Sequence, residues 1–331
     1  GITHAPYNLL WLFVNGIPLG MIWGVVYSFL EGRTLTELLG AGLSTSFIVS
    51  SGVVKAVGRS LVLDFGISEF WMPFFAGLIF IPTLLLGVYL LSKLPPPNDE
   101  DRANRTERVP MDGAMRMAFF KKFSVGIILT AVIYVFLTVF RDIRDNFAVE
   151  IWEALGLKDR ADILATSEIP IAIGVMIIIG LMITIKDNIK AFNVNIGMMI
   201  FGGVTLLATT FFWQMGFISP ILWMIMSGFG MYLAYIAYHT FLFERWIAVF
   251  KIKSNIGFLM YIVDAFGYLA SSIVLFAKSF IAPELNWLEV FKTVTYTTGF
   301  VTLILGLVTF SYFLNKQRAF KVKKEIEHGK N

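Results

Sequence analysis

The chain has no cysteine, only three histidines (His4, His239 and His328), and charged side chains at just 15% of its 331 positions. Without thiols there are no disulfides, cysteine nucleophiles or thiolate metal sites, and three scattered histidines argue against a histidine metal cluster. The alternating runs of a β-barrel are missing too. So are the spellings of two membrane-enzyme classes: there is no His-Glu-x-x-His, and VDAFG at 263–267 is not the Gly-x-Gly-Asp of an intramembrane aspartyl protease. The opening GITHAPYN lacks both an initiator Met and a charged signal-peptide region, which leads us to expect a fragment whose earlier helices are absent.

In place of these the chain has long apolar runs. Hydrophobic residues make up 57% of it, and the mean hydropathy is +0.74. About 20 apolar residues cross ~30 Å of hydrocarbon as a helix. Nine such stretches lie near 9–29, 38–62, 70–91, 123–140, 169–185, 196–217, 221–243, 256–280 and 290–313. Only a helix satisfies its own backbone in lipid without closing a barrel, so the expected fold is an all-α polytopic membrane bundle. The lipid bilayer is then an obligatory partner. The net charge of +4 does not call for nucleic acid, because membrane topology accounts for its placement.

The loops on one side, with the tail, carry nineteen Lys and Arg; the other side has four, with Lys278 and Lys292 at its border. By the positive-inside rule the rich side is cytoplasmic, which places the amino terminus outside and the carboxyl terminus inside. The sharpest change of composition is SKLPPPNDEDRANRTERVPMDGAMRMAFFKKF at 92–123, whose prolines stop a helix and whose polar run suits a linker. The expected organisation is residues 1–92 as the last three helices of a six-helix half, 93–122 as a cytoplasmic linker, 123–314 as a second half, and 315–331 as a basic tail. NGIPLGMIWGVVYSFLEGR (15–33) and SGFGMYLAYIAYHTFLFER (227–245) share a small-Gly start, a Phe-Leu pair and a Glu before a closing Arg. If they are repeats, the complete protein has twelve helices in two halves, the plan of the major facilitator superfamily. Glycines and Phe-Leu pairs are common in membrane helices, so coincidence also fits. AVEIWEALG (148–156) reads as a short interfacial helix stopped by Gly156, and 112–123 as an entry helix to the fourth span.

Charge inside hydrocarbon costs ~2.5–3.5 kcal/mol or more, so buried charges mark sites or pairs. Lys55 and Arg59 lie four apart in the second span, on a stripe with Ser44 and Ser51. Asp264 is the deepest carboxylate, flanked at helical spacing by Tyr261, Tyr268 and Ser271. It reads as an ion-coupling group, as a counter-ion to Lys55, or as a structural hydrogen-bonding group. Tyr134, Arg141 and Asp145 share a face of the fourth span, whose end carries Arg141, Asp142, Arg144 and Asp145. Arg141 or Arg144 suits a carboxylate or phosphate clamp. The same residues also suit an ion-pair cluster with Glu168 or Asp64. Tyr232, Tyr235 and His239, with Trp11, Asn15 and Gln214, either line a polar cavity or serve as packing and interfacial aromatics. Glu31 with Arg33, and Glu244 with Arg245, are candidate gate pairs or plain anchors.

The stretches beginning YNLLWLFVNG (7–16), with SEFWMPF (68–74), FRDIRDNFAVEIW (140–152), SEIPIA (167–172), LFERWIA (242–248) and NIGFLMYIVDAFGYL (255–269), resemble a family of bacterial inner-membrane proteins of unassigned function, related distantly to the major facilitator superfamily. The resemblance covers almost the whole chain and implies an inner-membrane location and further helices ahead of residue 1. Facilitators often carry a Gly-x-x-x-Asp-Arg-x-Gly-Arg loop; IKDNIKAFNVN (185–195) keeps Asp187 and Lys190 without the glycines.

The leading expectation is a secondary transporter for a small polar or anionic solute, with no cofactor or metal. Its candidate solute residues are Lys55, Arg59, Arg141, Arg144, Tyr134 and Asn15, and its coupling residues are Asp264, Tyr261 and His239. The alternatives are a non-transporting sensor or assembly protein descended from a transporter, whose best support is the altered loop, and an enzyme acting on lipid-linked substrates. Protein partners are open.

Overall fold

A computed structural model describes residues 3, 7–30, 36–96, 98–99, 111–157, 162–182, 184–252, 256–281 and 286–328. Regular structure among the described residues is entirely helical: α1 Asn8–Leu30, α2 Thr36–Leu63, α3 Met72–Ser92, α4 Gly113–Asn146, α5 Ala148–Ala154, α6 Ile163–Thr166, α7 Glu168–Met182, α8 Asn188–Gln214, α9 Pro220–Ile236, a π-helical segment Ala237–Leu242, α10 Phe243–Phe250, α11 Ile256–Ile281 and α12 Trp287–His328. Eight helical stretches among these residues are long and apolar enough to cross a membrane. The remaining expected span falls on α1, a 23-residue helix whose stretch Asn8–Leu19 is apolar. The protein is a polytopic, multi-pass membrane bundle.

Local sequence explains the helix ends. Asp112 caps α4 by accepting from the Met115 amide at 2.7 Å, and Asp187 caps α8 in the same way through the Lys190 amide at 2.7 Å. Ser219 caps α9, with Pro220 in the first turn where its missing N–H costs nothing. Gly156, at φ +82°, closes α5 while the Leu157 amide reaches back to the Trp152 carbonyl at 2.9 Å. The expected entry helix is continuous with the fourth span, and α4 bends at Phe123, where φ is −127°.

The last span continues as helix into the basic tail: α12 runs 42 residues to His328, ~63 Å at ~1.5 Å per residue. Its Lys-, Glu- and Arg-rich end contains no proline and favours continued helix.

The bundle is built around α8, and glycine pairs set its closest approaches. Gly202 faces α9: a Cβ there would strike the Gly230 carbonyl. Gly203 faces α12, where a Cβ would lie 2.9 Å from the Leu303 amide nitrogen and 3.1 Å from the Gly299 carbonyl. Such small-residue contacts let helices pack by van der Waals attraction in lipid, where no hydrophobic effect draws them together. At one end Phe123, Phe192, Trp246, Phe250 and Phe313 interlock, with Trp246 and Phe313 centroids 4.5 Å apart. α2 packs on α6 and α7, whereas α1 and α3 pack on α2 and leave most of their apolar side chains exposed.

Candidate functional site

Two polar centres lie within this apolar bundle. The deeper one joins α4, the end of α9 with its π-helical continuation, and α11. Gly267 brings α11 close enough to α4 that a Cβ would sit 3.0 Å from Thr138 Oγ1 and 3.2 Å from the Tyr134 ring. At this crossing Tyr134 donates a short hydrogen bond to Asp264, and the same carboxylate oxygen lies 3.5 Å from His239 Nε2. The Tyr134 and Tyr235 hydroxyls are 2.8 Å apart, and Arg141 Nη1 donates to Tyr235 at 2.5 Å. Arg141 also holds Asp142 at 2.8 Å through Nη2, and Ser271 donates to the other oxygen of Asp142. The resulting chain runs from His239 through Asp264, Tyr134, Tyr235, Arg141 and Asp142 to Ser271.

The aromatic rings hold this chain in place. Tyr235 and His239 stack with centroids 5.9 Å apart and planes within 5°, and Tyr134 stacks on Tyr235 and Tyr238 at 5.1 and 4.7 Å. The Arg141 guanidinium carbon lies 4.9 Å from the Tyr235 ring centroid, within cation–π range. His239 belongs to the π-helical segment, a widened turn of a kind that recurs at functional positions in membrane and soluble helices. Each member of the chain donates or accepts hydrogen bonds, so the chain links polar groups of three spans.

The second centre is a crevice at the end of α4, where α2, α5, α6, α7 and α9 converge. It is narrow, with room for about one water-sized group. Lys55 Nζ meets Asp145 at 3.2 Å and Arg144 Nη1 meets Glu168 at 2.6 Å. Arg144 is seated by Gly228, where a Cβ would lie 2.8 Å from Nη2, and the guanidinium carbon is 6.0 Å from the Tyr232 ring centroid. Gly52 brings α2 against the Leu164 carbonyl, where a Cβ would come within 2.7 Å. Beside the crevice Arg59 pairs with Glu153 at 3.6 Å.

The predicted residues therefore divide. Tyr134, Arg141, Asp264 and His239 share the deep chain, while Lys55, Arg144 and, at its edge, Arg59 belong to the crevice. Lys55 pairs with Asp145 and not with Asp264, because its place on α2 brings it to the end of α4. Asp64 takes its hydrogen bond from Ser60 at 2.6 Å, whereas Glu168 does join the arginines. Tyr261 is 60% exposed: it sits on the flank of α11, away from the face that buries Met260, Val263 and Ser271. Asn15 and Trp11 lie exposed on α1 and do not join either centre. Gln214 accepts from the Tyr296 hydroxyl at 2.6 Å, and Arg245 donates to Asn188 at 2.7 Å. Glu244 is buried; Glu31 and Arg33 lie outside the described residues.

Sequence reasoning did not assign Gly228, Trp152 or Tyr238 to a site. The Gly-x-Gly spacing of Gly228 and Gly230 was a legible sign of close helix approach, though not of the cation it admits. No group of three carboxylate or imidazole side chains suited to a metal ion occurs among the described residues.

A family of unknown function, DUF5690, matches residues 1–316. The chain belongs to this DUF5690 family. No curated protein matches it. Membership adds no substrate to what the two polar centres suggest.

Proposed function

We propose that this DUF5690 member is a secondary-transporter-like membrane protein, non-enzymatic, that moves a small polar or anionic solute by alternating access. The observation that carries the reading is the deep chain, in which Asp264, His239, Tyr134 and Arg141 form one hydrogen-bonded network inside spans that are otherwise apolar. Ionisable groups at such depth are costly and mark ion or solute pathways. In this reading Asp264 with His239 is the coupling site, Lys55 and Arg144 attract the solute, and residues 1–92 rock against 123–314 in the manner of the major facilitator superfamily. The α2–α7 contact at Gly52 supports such a seam, since a glycine there keeps the helix surfaces close and smooth. The location is the bacterial inner membrane, with the carboxyl terminus cytoplasmic by the positive-inside rule.

Uptake of labelled small carboxylates and amino acids into proteoliposomes tests the reading. Saturable uptake lost in Asp264→Asn and weakened in Lys55→Ala is expected, and uptake unchanged in both variants removes those roles.

A specific observation favours a second reading, a non-transporting sensor or assembly protein. Lys55, Arg59, Arg141 and Arg144 each already have a carboxylate partner, as a permanently closed structural bundle would require. Specific capture of a protein partner together with no solute flux would support it.

A further inference from the structure

The two ends of α4 treat their neighbouring cations differently. Around its carboxyl end Lys55, Arg59, Arg141 and Arg144 each face a carboxylate. Around its amino end, where α12 leaves the bundle, Lys121, Lys122, Lys316, Arg318 and Lys321 have no carboxylate partner among the described residues. Lys316 is half-buried and the other four are exposed.

Packing of α4 on α12 gathers two of these charges. At Gly126 the helices nearly touch, since a Cβ there would lie 2.6 Å from Phe313 Cζ and 2.9 Å from Tyr312 Cε1. One turn away α4 bends at Phe123, and the Lys122 carbonyl accepts from Lys316 Nζ at 3.2 Å. Lys122 Nζ lies 5.4 Å, and Lys316 Nζ 5.8 Å, from the centroid of the same Phe123 ring. Two ammonium groups gathered at one ring repel each other, and an anion between them turns that repulsion into attraction.

Depth and surroundings decide which anion. Lys316 stands three residues past Phe313, where the last apolar run closes, or about 4.5 Å at ~1.5 Å per residue. That is the depth of the headgroup zone, ~5–7 Å thick on each face of a bilayer. Beneath Lys121 and Lys122, Val125, Ile128 and Val132 form an exposed apolar stripe on α4. A nucleic acid or an acidic protein offers charge but nothing for the stripe. A phospholipid offers a phosphate at the depth of the ammonium groups and an acyl chain at the depth of the stripe. Because α12 stays helical to His328, Arg318 and Lys321 are held just above this point, within about one Debye length, ~8 Å at physiological salt.

We propose that the notch between Lys122 and Lys316 binds an anionic phospholipid. Its headgroup phosphate accepts from both ammonium groups, and one acyl chain lies along Val125, Ile128 and Val132. The site is separate from both polar centres and does not depend on solute movement.

The test is thermal unfolding of the full chain in detergent with added phosphatidylglycerol, phosphatidylcholine or inorganic phosphate at matched concentration. Phosphatidylglycerol should raise the midpoint saturably, with the other two at least about tenfold weaker. Lys122→Gln combined with Lys316→Gln should weaken phosphatidylglycerol by about tenfold or more, whereas Lys122→Arg with Lys316→Arg should keep it. Lys186→Gln with Lys190→Gln removes the same charge from exposed positions at the same end of the bundle and should leave binding within about twofold. An equal shift with phosphatidylcholine or inorganic phosphate, undiminished binding in the Lys122 and Lys316 glutamine variant, or the same loss in the Lys186 and Lys190 variant overturns the assignment. If the double glutamine variant does not fold, Lys316→Gln alone decides by native mass spectrometry: it should retain less phosphatidylglycerol than the parent, and equal retention overturns the proposal.

Discussion

The Arg144–Glu168 pair permits a prediction whose sign differs between single and double variants. Arg144 is 2% and Glu168 12% exposed at the side chain, so replacing either one strands the other charge out of water. Breaking a buried pair from one side costs about 3–5 kcal/mol, whereas replacing both partners by apolar residues of similar volume is often neutral or stabilising. The free Oε2 and Nε make the native pair less than fully satisfied, which moves the double variant further toward neutral. Arg144→Met and Glu168→Leu should each lose about 3–5 kcal/mol, and the double variant should return to within about 1 kcal/mol of the parent. Denaturant unfolding in detergent, followed by fluorescence with Trp152 as a reporter beside the pair, measures all three. A double variant that loses the sum of the two singles, or singles that lose under about 1 kcal/mol, would refute the reasoning.

Other changes probe the rest of the bundle. Gly203→Ala should destabilise by about 1–3 kcal/mol, because its methyl meets backbone of α12 that cannot turn aside. Gly197→Ala, which meets nothing within 4 Å, should be neutral or gain up to about 1 kcal/mol; thermal midpoints of the two variants give the contrast. Tyr235→Phe removes the hydroxyl that accepts from Arg141, leaving that guanidinium short of an acceptor at a cost of about 1.5–3 kcal/mol by denaturant unfolding. Asp112→Ala should cost about 1 kcal/mol, seen as faster hydrogen exchange in the first turn of α4 with the far end unchanged.

Much of this bundle was legible in the sequence because hydrocarbon imposes strict rules. A run of about 20 apolar residues has few fates other than a spanning helix, and caps such as Asp112, Asp187 and Ser219 follow local chemistry. The short α5 and its glycine stop were legible for the same reason. The end of α12 was not, since a basic helix and a basic loop have similar compositions. The pairing of charges was harder still. Helical spacing puts Tyr134 and Arg141 on one face, but it does not say which helix that face meets, so Lys55 could be matched with Asp264 when its partner is Asp145. Tyr261 has helical spacing to Asp264 as good as that of Ser271, and only the packing of α11 on α4 distinguishes the buried edge from the exposed one. The seat of Arg144 depends on a glycine 84 positions away in sequence, a relation no local pattern encodes.

Under the proposed function Asp264 in the deep chain is the coupling site, and we propose the proton as the ion it couples. A pH-sensitive dye enclosed in proteoliposomes reads that link directly when a mixture of small amino acids and carboxylates is added outside. The account predicts a solute-dependent proton flux in the parent protein and none in Asp264→Asn incorporated to the same level. Solute uptake that moves no protons in the parent, or an identical proton flux in Asp264→Asn, would contradict it.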